Sequence, residues 1–275
     1  SARDDLAMPE FTHYRPGMFC WVDLMSKDMN AAKAFYTGLF GWDVVDMDTQ
    51  GGPAYAGFLK NGKQVGGLGQ MSPEMAGGGM PAVWNSYIST DDVAATCEKV
   101  AAAGGKVAMP PMKILDAGHM AVVEDPTGAH VSLWQPGTHF GCQIANEDGA
   151  WGWGELMTRD ADAAKKFYGD VFGWTYKENK DSPGAYWMTE VDGRSNSGVM
   201  LMDETMQGVP PHWSLYFMTN DAAASAEKVK SLGGTVMHGP FDTPVGPIVI
   251  CADTDGASFN LIQYESDTMP VDGPV

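Results

Sequence analysis

Positive charge is scarce in this chain. Its 275 residues carry 17 Lys and Arg against 35 Asp and Glu, a formal net charge of −18. With so few cations to neutralise phosphates, nucleic acid is excluded as a partner. An anionic membrane surface is disfavoured for the same reason. Long apolar runs are missing too: no stretch reaches the roughly 20 residues of a membrane-crossing helix, and no leader peptide is legible. Cysteine is sparse and scattered. Cys20, Cys97, Cys142 and Cys251 lie far apart with no C-x-x-C spacing, which speaks against a disulfide framework or a cysteine zinc site and for reduced thiols. A cytoplasmic protein is the expectation. No nucleophile elbow or Ser-His-Asp order is present. The glycines at 66, 67 and 69 open no helix, so a phosphate cradle is not expected there.

What the chain does have is a repeat. The stretch Asp28–Trp42, DMNAAKAFYTGLFGW, returns at Asp160–Trp174 as DADAAKKFYGDVFGW, with nine of fifteen positions identical. Each copy opens on an Asp fit to cap a helix and runs through Ala and Lys, which favour helix. Each ends on a Gly suited to a left-handed terminus. Phe35, Leu39 and Phe40, and again Phe167, Val171 and Phe172, are spaced as an apolar helix stripe. A β-like run precedes each copy. Further along, the strand Val83–Thr90, the Asp91 helix with its Gly-Gly stop, and the turn DPTG at 125–128 are answered by 211–219, 220–234 and DTDG at 253–256.

The chain therefore reads as a duplication at an offset of about 130 residues, each half holding two βαβββ modules, near 17–70, 81–135, 149–202 and 211–264. The fold expectation is α+β, with four modules paired into two curved-sheet domains that cover their inner faces. The expected divisions are a loose arm over 1–15, a first domain over 16–136, a linker over 137–148, a second domain over 149–265 and a frayed tail over 266–275.

These motifs in this order resemble the vicinal oxygen chelate superfamily, which includes glyoxalases, bleomycin-resistance proteins and extradiol dioxygenases. The resemblance spans about 17–264 and implies two glyoxalase-like domains. It also implies a divalent metal held by His, Glu or Gln on facing strands. Carried over through the motifs, the ligand positions fall on Trp21 and Trp153, on Asn85 or Trp84 and Ser214 or Trp213, on Ser132 and Asn260, and near Gly66 and Gly198. None is His, Glu or Asp, and indole has no lone pair to offer a metal. The expectation is no metal and no other cofactor.

Strand alternation then lines the hollow with Trp21, Asn85, Tyr87, Ser132 and Trp134 in the first half. Trp153, Ser214, Tyr216 and Asn260 line it in the second. Asp23 and Glu155 are the candidate catalytic acids, since a carboxyl in an apolar pocket holds its proton more tightly. His119 is a further candidate ligand contact. Its second-half counterpart is Pro247, and the halves differ also at Asp23/Glu155, Asn85/Ser214 and Ser132/Asn260, so at most one pocket is expected to function, with the first preferred. The expected function is a small-molecule protein, monomer or homodimer, that binds or transforms an organic compound in a Trp/Tyr-lined cavity. The alternatives are a metal-dependent lyase or dioxygenase with displaced ligands, and a non-catalytic binding or antibiotic-resistance protein.

Overall fold

The computed structural model describes residues 10–265. The first repeat unit begins with β1 (Phe19–Ser26), α1 (Met29–Phe40), β2 (Asp43–Asp46), β3 (Tyr55–Lys60) and β4 (Lys63–Gln70). A short helix, α2 (Pro73–Gly77), leads to β5 (Val83–Ser89), α3 (Val93–Ala102), β6 (Lys106–Ile114), β7 (Gly118–Glu124) and β8 (His130–Pro136). The second half repeats the programme. It runs through β9 (Trp151–Thr158), α4 (Ala161–Phe172), β10 (Thr175–Glu178), β11 (Tyr186–Val191) and β12 (Arg194–Leu201). It then continues with β13 (His212–Met218), α5 (Ala222–Ser231), β14 (Thr235–Phe241), β15 (Ile248–Ala252) and β16 (Ser258–Ile262).

Each half forms one eight-stranded mixed sheet. The orders are β2-β3-β4-β1-β5-β8-β7-β6 and β10-β11-β12-β9-β13-β16-β15-β14, so the duplication in sequence is a duplication in topology. The fold is α+β with two glyoxalase-like domains. The capping residues act as their chemistry dictates: the Asp28 and Asp160 side chains accept from the backbone N–H of Ala31 and Ala163. Gly41 and Gly173 end their helices with φ of 69° and 72°, where a Cβ would be penalised.

The helices lie on one face of each sheet, and those faces are turned toward each other. α1 packs on α5 and α3 packs on α4. The ring of Phe19 on β1 meets Trp213 on β13 at 4.9 Å, and Trp84 on β5 meets Phe217 at 5.1 Å. The main apolar core is continuous through both halves. The Trp that ends each repeat also crosses over: the Trp42 indole donates to the Gly149 carbonyl at 2.7 Å, and Trp174 donates to the Gly17 carbonyl at 2.8 Å.

The short strands β2 and β10, four residues each with mostly exposed side chains, complete the βαβββ order of their modules. Two expectations need correction. The Pro/Gly-rich connector after Met71 holds a helical turn, α2, because Ser72 caps it and Pro73 suits its first position. The arm over 1–15 is not loose over its described part. Phe11 and Tyr14 are buried, and the Tyr14 hydroxyl donates to the Cys142 carbonyl at 2.7 Å. Residues 1–9 and the tail over 266–275 lie outside the described residues.

Candidate functional site

Register fixes which side chains share the sheet face opposite the helices. In the first domain Trp21 stands opposite Tyr87, Asp23 opposite Asn85 and Gly67, and Tyr87 beside Ser132. Trp134 lies two residues on from Ser132, so it shares this face. In the second domain Trp153 stands opposite Tyr216, Glu155 opposite Ser214 and Gly198, and Tyr216 beside Asn260. The sequence-predicted residues other than His119 are thus brought together as two cups, one per domain.

Each cup has a carboxylate held by neutral donors. Asp23 accepts from the Tyr87 hydroxyl at 2.8 Å, the Tyr55 hydroxyl at 3.1 Å and the Asn85 amide at 3.3 Å. The Trp21 indole donates to that same Tyr55 oxygen at 3.1 Å. Glu155 accepts from Tyr216 at 3.0 Å, and the Trp153 indole donates to Tyr186 at 2.9 Å. Burial raises the pKa of both acids. Hydrogen bonds from Tyr87, Asn85 and Tyr55 oppose the rise at Asp23, and those from Tyr186 and Tyr216 oppose it at Glu155.

Tyr55 and Tyr186 were missed in the sequence, although a signal was there: the pair Ala-Tyr recurs at 54–55 and 185–186. Their hydroxyls explain two glycines. A Cβ on Gly67 would overlap the Tyr55 hydroxyl, and one on Gly198 would overlap that of Tyr186. Any longer side chain at these positions would displace the tyrosine from the acid.

His119 is not part of this cluster. It lies opposite Gln135, whose side chain accepts from the Val93 backbone on the helix side, so His119 projects from the other face. His130 pairs with Glu124 at 3.4 Å and is 56% exposed. The histidine that does reach a cup is His139, in the segment following β8. Its ring meets Trp21 edge-on at 4.4 Å and lies 5.6 Å from Trp134, whose indole donates to the His139 carbonyl at 2.8 Å. Burial lowers its pKa to about 4, so it is a neutral imidazole at pH 7. No periodicity marked it, because it lies in irregular chain.

The residues present do not fit a divalent cation at the positions the resemblance implies. The Trp21 and Trp153 N–H groups are donors already engaged with tyrosines. The Asn85 amide points its N–H at Asp23. Trp84 and Trp213 face the helices, donating to Tyr36 and Tyr168 at 3.0 and 2.9 Å. Gly66 also faces that side, and the strand positions that do face the cups, Gly67 and Gly198, are backed by tyrosine hydroxyls. Among the described residues no group of three or more His, Cys, Asp and Glu is placed to hold a metal ion. An open cleft of about 620 Å³ at the start of α1, lined by Lys27, Lys33, Asp46 and others, touches the first cup only through Tyr55.

Comparison with known proteins agrees with this architecture. The sequence profile of the Glyoxalase/Bleomycin resistance protein/Dioxygenase superfamily matches residues 19–133 and again 151–261. A Mycobacterium tuberculosis protein that carries the name glyoxylase CFP32 is 42% identical over 258 residues, covering 93% of this chain and 98% of the relative. The anthracycline biosynthesis protein DnrV of Streptomyces peucetius is 34% identical over 267 residues, covering 92% and 95%. Among solved structures, the Mn(II)-bound glyoxalase from Novosphingobium aromaticivorans superposes with a TM-score of 0.61 at 18% identity, over 94% of this chain and 86% of that one. The 2,3-dioxygenase LapB from Pseudomonas sp. KL28 gives 0.62 at 13% identity, over 98% of both. At such identities these structures share the fold alone.

Proposed function

Because the chain belongs to the Glyoxalase/Bleomycin resistance protein/Dioxygenase superfamily, we propose that it uses the superfamily's concave sheet face for a small organic molecule, without the divalent cation. One observation carries this reading. Beside the implied cation position, each domain buries an acid, Asp23 or Glu155, among Trp and Tyr rings and gives it only neutral hydrogen-bond donors. Apolar walls with a few placed polar groups are the usual make-up of a small-molecule site. An acid that holds its proton more tightly than in water is suited to accept a hydrogen bond from the bound molecule, and to give or take a proton there. The relative named for anthracycline biosynthesis directs the search toward planar aromatic ketones and quinones.

The test is native mass spectrometry of the purified protein for a retained organic molecule, followed by titration of such compounds against tryptophan fluorescence. Trp21, Trp134 and Trp153 line the cups, so binding should quench the emission. The combined Asp23→Asn and Glu155→Gln variant should bind at least about tenfold more weakly, about 1.4 kcal/mol. A protein that retains nothing and responds to no compound, or a variant that binds unchanged, sinks the reading.

A further inference from the structure

Glycine inside a strand weakens it, and often marks a place where another group comes close to the backbone. In the first cup two glycines fall in one row. Register sets Val45, Gly57, Gly67, Asp23 and Asn85 side by side across β2, β3, β4, β1 and β5, all on the cup face. Gly67 has a reason within the protein, since the Tyr55 hydroxyl takes the place of its Cβ. Gly57 has none. Its φ is negative, so no turn demands glycine. It is buried, yet a Cβ there would meet no described atom within 4 Å, whereas every other glycine within a described strand has a neighbour inside that distance.

This bare floor opens on apolar surface. Val45, at the end of the row, is 50% exposed, and Met47, two residues on, is 44% exposed. The half-buried Tyr55 and Met47 also wall the open cleft of about 620 Å³ at the start of α1, so cleft and floor share a wall. Tyr55 fixes what an occupant must carry. Its hydroxyl lies over Gly67. Positions opposed on neighbouring strands stand about 5 Å apart, so a polar atom seated above Gly57 comes within hydrogen-bond reach of that oxygen. A hydroxyl has one proton to give and two lone pairs. The Tyr55 proton goes to Asp23 at 3.1 Å, and one lone pair takes the Trp21 N–H at 3.1 Å. What is left can only accept.

Resting on the reading above, we infer that the first domain seats its ligand on the bare backbone at Gly57, as a flat aromatic compound whose edge hydroxyl donates to the remaining lone pair of Tyr55. The glycine lets a ring lie against the strand, and Val45 and Met47 cover the ring's outer edge. Asp23, already held by three side chains, is met through Tyr55 rather than directly. A ketone or quinone without a donor finds no partner at the Tyr55 oxygen. A site that hydrogen-bonds a ligand hydroxyl rejects the analogue lacking it more strongly than apolar walls reject a change of size. The expected preference for the first pocket is thus kept, on residues other than His119, which lies on the opposite face.

The experiment is calorimetric titration of the full chain with 6-hydroxy-2-acetonaphthone. The comparators are 2-acetonaphthone, which lacks the hydroxyl, and 6-methoxy-2-acetonaphthone, which keeps the oxygen without its proton. The hydroxy compound should bind at least about tenfold tighter than either. Gly57→Val should lose one binding site per chain and Gly57→Ala should weaken it. Thermal unfolding of both variants should be unchanged or raised, because the added carbons find room in the strand. Tyr55→Phe should bind the hydroxy compound no better than 2-acetonaphthone. A Gly57→Val protein that binds as the unaltered chain does, or that unfolds at a lower temperature, overturns the inference. So does equal affinity for the three compounds, or a preference that persists in Tyr55→Phe. Each of these leaves the general reading in place while the combined Asp23→Asn and Glu155→Gln variant still weakens binding. Failure of all three compounds where other aromatic compounds bind overturns the inference alone, and failure of the whole aromatic series overturns both.

Discussion

At the scale of single residues, the notable side chains are those whose protons are held differently by the fold than by water. His139 is the clearest case. Its folded pKa is about 4 because burial penalises the imidazolium, against about 6.5 in the unfolded chain. Between these values the unfolded state binds the proton and the folded state does not. Stability from this residue is therefore fully present above about pH 6.5 and falls as the pH drops toward 4. Asp23 and Glu155 act with the opposite sign, because burial raises their pKa, so their folded forms take up protons first as the pH falls. The difference between the unaltered protein and His139→Gln isolates the imidazole. Urea titrations at pH 7 and pH 5 should show the unaltered protein losing up to about 2 kcal/mol more than the variant. Equal losses would mean that the ring is not buried against Trp21. Nothing in the local sequence marked this residue, since packing by an irregular segment has no period to read.

At the scale of elements, the repeated helix does more than cover its own sheet. Tyr36 on α1 donates to Asp253 at 2.7 Å and accepts from the Trp84 indole at 3.0 Å. Its counterpart Tyr168 on α4 donates to Asp125 at 2.8 Å and accepts from Trp213 at 2.9 Å. Each helix of one domain is thus tied to the hairpin turn of the other. The turn Asp has a second duty: the other oxygen of Asp253 takes the backbone N–H of Asp255 and Ala257. Tyr36→Phe should leave the Trp84 N–H and one Asp253 oxygen unpaired in a place where both residues are nearly closed to water. A cost of about 2–4 kcal/mol is expected from urea unfolding, and a change below about 0.5 kcal/mol would contradict the network. Ends and caps of these helices were legible because Asp and Gly act locally. The partners of the Tyr hydroxyls were not, because they lie in the other domain, 217 residues away for Tyr36 and 43 for Tyr168.

At the scale of the whole molecule, the two glyoxalase-like domains share a core, since α1 packs on α5, α3 packs on α4, and rings such as Phe35 and Phe259 meet across the divide. Scanning calorimetry should accordingly show one unfolding transition rather than two, and Tyr36→Phe should move that transition as a unit. Two resolved transitions would separate the domains energetically. The sequence by itself determined the duplication, the βαβββ order, the helix limits and the acid in each hollow. These follow from short-range chemistry: capping, turn residues and the two-residue alternation of strands. Only the tertiary structure decided that the helix faces join the domains, that His119 turns away while His139 turns in, and that Tyr55 and Tyr186 fill the space beside the acids. Those outcomes depend on register between distant strands and on which surfaces must leave water together, and no local pattern encodes either.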